Sequence, residues 1–131
     1  MQTKKTRWAH YNCNYHFVWI PKYRRKVLVG PVLHELEGLI HEVAKKNGFE
    51  ILSLSIQPDH VHLFVSAPPR WSPADIVNLF KGYTSRRLRE KFPELRKVNP
   101  HSLWSRTYYV GTAGDVSSET IRRYIEECQD V

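Results

Sequence analysis

Apolar and polar positions alternate from Tyr11 to Ile20. Tyr11, Cys13, Tyr15, Phe17 and Trp19 fall on one side, and Asn12, Asn14, His16, Val18 and Ile20 on the other. A period of two, rich in aromatics, predicts a strand that Pro21 ends. The basic stretch Lys22–Lys26 follows as a loop or strand extension. Gly30-Pro31 opens a helix, since proline is tolerated in a first turn. Val32, Leu36, Leu39, Ile40 and Val43 recur at helical spacing, and Asn47-Gly48 closes the helix. Leu52, Leu54 and Ile56 alternate with Ser53, Ser55 and Gln57 in a second strand. Pro58-Asp59 turns the chain into a third strand, His60–Ala67, so the two should form an antiparallel hairpin. Ser72-Pro73-Ala74-Asp75 carries the signs of a helix start, with a cap, a proline in the first turn and an early acid. Ile76, Leu79, Phe80, Tyr83 and Leu88 mark that helix, which Pro93 limits. Residues 94–102 read as a loop and Leu103–Gly111 as a fourth strand. Gly111-Thr112-Ala113-Gly114 is a flexible link to a third helix, capped by Asp115 or Ser117 and running to Gln129.

The order β-α-β-β-α-β predicts an α+β, ferredoxin-like domain. Four antiparallel strands would carry two helices on one face, with an extra C-terminal helix. The 131 residues suffice for one domain with a real core, and residues 1–7 read as a flexible basic arm. Hydrophobic content of 41% and charged content of 25% are those of a soluble globular protein. No apolar run is long enough to span a bilayer, and no hydrophobic signal region follows the basic N-terminus, so a cytosolic protein is expected. Cys13 and Cys128 form no paired spacing, which argues against a disulfide framework or a zinc ribbon.

The net charge of +7 narrows the choice of partner. Excess positive charge favours a polyanion, because binding releases its counterions. The clusters Lys22–Lys26 and Arg86-Arg87-Arg89 supply Lys22, Arg24, Arg25, Arg86 and Arg87 as candidate DNA contacts. Tyrosines and tryptophans lie near these clusters in sequence, and single-stranded bases stack on aromatics while Lys and Arg follow the backbone. Several of these aromatics must nevertheless belong to the core.

The candidate chemistry sits in Gln57-Pro58-Asp59-His60-Val61-His62-Leu63-Phe64-Val65. On a strand, His60, His62 and Phe64 share one face and Val61, Leu63 and Val65 the other. The apolar face can pack on helices while two imidazoles converge on a divalent cation. In the third helix, Tyr124 stands among polar groups in Arg122-Arg123-Tyr124-Ile125-Glu126. A tyrosine there is either a packing residue or a nucleophile. A phenol attacks a phosphodiester poorly at neutral pH unless a cation polarises the phosphate.

Three segments in this order resemble the single-tyrosine HUH transposases of the smallest bacterial and archaeal insertion sequences. They are Tyr15-His16-Phe17-Val18-Trp19-Ile20-Pro21-Lys22-Tyr23-Arg24-Arg25, the stretch Gln57–Leu63, and Arg122–Glu126. The resemblance implies that His60 and His62 bind Mg2+ or Mn2+ and that Tyr124 is the nucleophile. It implies an endonuclease and strand transferase that recognises DNA hairpins, cleaves single-stranded DNA through a 5′-phosphotyrosine link and rejoins it without a nucleotide cofactor. It also implies a homodimer in which the histidines of one subunit meet the tyrosine helix of the other. The aromatic Tyr15–Trp19 strand face and the C-terminal helix add apolar surface for such a dimer. The third ligand is open. The family usually has a glutamine four residues after the tyrosine, where this chain has Cys128, and Gln129 lies five residues on. Gln129 ranks first by resemblance. Glu127 ranks second by helical geometry, Asp59 is a further candidate, and Cys128 would favour zinc and ranks last. His16 is either a core-edge histidine or a DNA contact, the former being favoured. A domesticated relative that processes repeat hairpins would share this pattern. A non-catalytic ferredoxin-like nucleic-acid-binding module would have the basic surface alone.

Overall fold

The computed structural model describes residues 4–5, 10–11, 13–97, 100–112 and 117–127. Its main elements are β1 (Asn14–Trp19), α1 (Gly30–Asn47), β2 (Glu50–Gln57), β3 (His60–Ser66), α2 (Pro73–Lys91), β4 (Tyr109–Gly111) and α3 (Ser118–Glu127). The sheet order is β2-β3-β1-β4 with every pair antiparallel. This is the expected ferredoxin-like arrangement with a C-terminal helix carrying Tyr124. The basic arm contributes Lys4–Lys5 to a short antiparallel ladder with His10–Tyr11.

Helix ends follow the sequence signals. Gly48 takes the left-handed conformation at φ 74° after α1, and its N–H bonds the Ala44 carbonyl. Ser72 Oγ accepts the Asp75 N–H at 3.1 Å at the start of α2. Of the two proposed caps for α3, Ser117 Oγ accepts the Thr120 N–H at 3.1 Å, while Asp115 lies outside the described residues.

The strands sort side chains between two faces. Phe17 and Trp19 of β1 and Val61, Leu63 and Val65 of β3 are buried with Leu36, Ile40, Phe80 and Leu88 of α1 and α2. Truncating a residue such as Trp19 to alanine costs about 3–5 kcal/mol at such a site. The Tyr15–Trp19 face is therefore consumed inside the protomer and does not offer the dimer surface read from the sequence. On the other face, Val18 and Ile20 pack with Tyr124 and Ile125 of α3, and the histidines of β3 lie beside them on that face.

Two strands depart from the alternation. The β2 register shifts between Ile51 and Ser53, so Ile51, Leu54 and Ile56 pack on the core while Leu52 falls outside it. An inserted residue changes the phase of a strand. The fourth strand is shorter than expected. Trp104 makes only an isolated bridge to Pro21, and the ladder resumes at Tyr109. Between them the Lys81 amine takes the carbonyls of Ser105, Arg106 and Thr107 at 2.8, 3.4 and 3.2 Å, holding this stretch outside the ladder. Among the described residues, no helix is long and apolar enough to cross a membrane.

Candidate active site

The histidine face of β3 is built by register. His16 of β1 pairs opposite Phe64, and Val18 opposite His62, which puts His16 diagonally beside His62. The His16 ring stacks on Phe64 with centroids 3.9 Å apart, and its Nδ1 lies 3.1 Å from His62 Nε2. His16 is buried at 4% exposure, as expected for a core-edge residue, yet its polar edge is directed at the candidate ligand. That partnership follows from cross-strand register, which one strand's sequence does not display. Burial first, then the neighbouring His16 and His60, lowers the His62 pKa below its ordinary 6.5. A neutral imidazole is the form that binds metal.

His60 is oriented from the turn before it. Its Nδ1 lies 3.0 Å from Asp59 Oδ1, and Arg24 Nε lies 3.5 Å from Asp59 Oδ2. A carboxylate on one imidazole nitrogen fixes the ring and directs the other nitrogen outward. Arg24 reaches this position from a sharp turn in which Tyr23 and Arg24 have φ values of 60° and 54°. Two consecutive non-glycine residues in the left-handed region are costly, so the fold must hold them there. Asp59, considered as a metal ligand, here acts as the link between Arg24 and His60.

These groups open onto a cavity of about 490 Å³ lined by Arg24, Gln57, Asp59, His60, His62 and one side of α3. The helix contributes Ile121, Arg122, Ile125 and Glu126. At 100° per residue, those four span about 140° of the helix, and Tyr124 lies about 60° outside that arc. Tyr124 is not a lining residue. Its ring is buried with Val18 and Ile20, and its hydroxyl lies 3.0 Å from Thr107 Oγ1. Glu127, favoured by its spacing from Tyr124, is exposed and faces away; the α3 carboxylate that borders the cavity is Glu126. The geometric ranking assumed that Tyr124 faces the histidines, and α3 instead turns its neighbours toward them. Gln129 and Cys128 lie outside the described residues. Among the described residues, no three His, Cys, Asp or Glu side chains cluster closely enough to hold a metal ion.

The candidate DNA contacts fall on two regions. Lys22, Arg24 and Arg25 lie in or beside the turn after β1, where Lys22 sits 5.3 Å from the ring centre of Tyr23. Tyr23 and Val29 are the exposed large hydrophobic residues among those described, which leaves few aromatics free to stack on bases. Arg86 and Arg87 flank the Tyr83 ring on α2, whose buried side covers the opposite face of the sheet from the histidines. Arg86 also borders a cavity of about 620 Å³ with Lys81, Arg89, Arg96 and Arg106.

A ferredoxin-like sheet with a paired-histidine cavity on one face and a tyrosine-bearing helix beside it defines a class of DNA-processing domain. The profile described as "Transposase IS200 like" matches residues 9–128, and the chain belongs to this transposase family. It is 36% identical over 131 residues to the ISDra2 transposase TnpA of Deinococcus radiodurans, covering 99% of this chain and 94% of that one. It is 33% identical over 122 residues to the transposase for insertion sequence element IS200 of Salmonella typhimurium, covering 92% and 78%. A solved structure from Deinococcus radiodurans R1, assigned to the transposases, superposes with a TM-score of 0.87 at 36% identity over 98% of this chain and 99% of that one. A REP-associated tyrosine transposase bound to a REP hairpin shares the fold, with a TM-score of 0.54 at 16% identity over 97% and 68%.

Proposed function

We propose that this transposase cleaves and rejoins single-stranded DNA at the hairpin-bearing ends of an insertion sequence, with Tyr124 as nucleophile. The observation that carries the reading is the Asp59-oriented His60 and neutral His62 facing one cavity with α3, in a chain of the IS200-like family. The donor set suits a divalent cation. His60 and His62 would hold Mg2+ or Mn2+, with Gln129 as the candidate third ligand, and the cation would polarise a phosphate and offset its charge.

The residues divide the remaining work. Arg24 and Arg122 place positive charge at the cavity rim, where a phosphodiester must enter. The Tyr124 oxygen forms a bond to phosphorus, the bond from phosphorus to the 3′ oxygen breaks, and the 5′ phosphate stays on the tyrosine. The phenol loses a proton and the leaving 3′ oxygen gains one, so the step consumes no nucleotide. Attack by another strand's 3′-hydroxyl reverses it and joins the strands. Tyr124 lies outside its own protomer's cavity, which supports a homodimer whose sites combine the histidines of one copy with the tyrosine of the other.

The test is a labelled single-stranded hairpin oligonucleotide incubated with the full chain and Mn2+. The protein should form an adduct that survives denaturation and maps to Tyr124, with the 5′ end of the cleaved strand attached. Tyr124→Phe keeps the ring and should bind the hairpin while forming no adduct. An adduct at Tyr108 or Tyr109, or cleavage by the Phe variant, would place the nucleophile elsewhere.

A further inference from the structure

We propose that Thr107 is the positioning residue that parks the Tyr124 hydroxyl away from the histidine cavity. The proposal rests on the assignment of Tyr124 as the nucleophile. Tyr124 is fixed at both ends: its ring lies against Val18, Ile20 and Ile125, and its oxygen lies 3.0 Å from Thr107 Oγ1.

Thr107 is itself held firmly. Its N–H donates to Ser105 Oγ at 3.3 Å, and the two hydroxyls lie 3.2 Å apart. Its carbonyl accepts from the Lys81 amine, which also binds the carbonyls of Ser105 and Arg106. Lys81 is buried on α2, so the short stretch before β4 is tied to the helix layer on the far side of the sheet. A threonine hydroxyl has one proton and two lone pairs, enough to serve Ser105 and Tyr124 together. Thr107 is thus a fixed post rather than a mobile partner.

In a composite site the tyrosine oxygen must leave this post, held by Thr107 and by the packing against Val18 and Ile20, before it can reach a phosphate over the histidine pair of the other copy. The hydrogen bond therefore sets a threshold for attack. Its removal should raise the population of released tyrosine by roughly two- to tenfold, the range expected from the net worth of one hydrogen bond.

Thr107→Val keeps the branched shape and deletes the hydroxyl; Thr107→Ser keeps the hydroxyl. Under single turnover on hairpin DNA with Mn2+, the Val variant should form adduct roughly two- to tenfold faster than the parent, with unchanged DNA affinity. The Ser variant should run at the parental rate. A Val variant that is equally fast or slower, beside an active parent, overturns the proposal. Amide hydrogen exchange of residues 118–127 without DNA supplies a readout free of catalysis. Thr107→Val and Tyr124→Phe both remove the hydrogen bond between them, so each should speed exchange and the double variant should fall well short of the product of the two effects. Independent, multiplying effects would overturn the proposal. If the parent forms no adduct at all, the nucleophile assignment fails, while the exchange cycle still decides whether Thr107 holds the helix.

Discussion

At the scale of single residues, the site depends on neighbours that steer its histidines. Asp59 fixes His60 from one side and His16 contacts His62 from the other. Removing such a supporting group from a metal-binding histidine typically weakens metal affinity about 10- to 100-fold. His16→Ala is therefore expected to weaken Mn2+ binding by that order while leaving hairpin affinity intact, and titration calorimetry of parent and variant measures it. Unchanged Mn2+ affinity would reduce His16 to a packing residue. The face shared by His60, His62 and Phe64 was legible from alternation alone, because side-chain direction in a strand follows from backbone geometry. The role of His16 was not, because it depends on which residue of β1 lies beside His62. Glu126 was missed for a related reason: spacing along a helix fixes angles between residues, but not which angle faces the sheet.

At the scale of elements, the helices and the strands β1 and β3 were readable because caps, prolines and periodicity are local. The exceptions arise where a tertiary contact overrides the pattern. The bulge in β2 takes Leu52 out of phase, and Lys81 interrupts the fourth strand by taking its carbonyls. A lysine on an otherwise helical pattern gives no sign that it will be buried. Burial lowers its pKa from 10.5 to about 8. The unfolded chain then holds this proton more tightly than the folded one, so folding is opposed by the full protonation difference below pH 8. That opposition is relieved as pH rises from 8 toward 10.5. Parent protein should therefore gain stability relative to Lys81→Met between pH 7.5 and pH 10, as read by urea midpoints at both values. A difference independent of pH would mean that the amine is not desolvated.

At the scale of the whole molecule, the sheet separates two basic regions, one at the histidine cavity and one along α2. This arrangement suits a folded nucleic acid better than a uniform rod. Hairpin-containing single strands should bind more tightly than duplex of the same sequence, with affinity falling steeply as salt rises. Fluorescence anisotropy at several salt concentrations tests this, and equal affinity for both forms would count against the hairpin reading. The proposed composite site makes a separate forecast. A mixture of His60→Ala and Tyr124→Phe subunits should recover some cleavage, since a mixed dimer contains one site with both groups intact. No recovery, in a mixture shown by sedimentation to exchange subunits, would assign both groups to one protomer.

Trp19 of β1 and Trp104, in the stretch before β4, meet edge to face with ring centres 6.0 Å apart, and both are buried. Two indoles this close couple their electronic transitions, so the pair should produce a paired far-ultraviolet dichroic band, from the strong indole transition, that neither ring gives alone. The band's amplitude depends on the angle between rings, and that angle is set by how the 103–107 stretch lies against the end of β1. The protein thus carries an internal optical goniometer a few residues from Thr107, through which the geometry of that stretch can be compared with and without DNA and without a label.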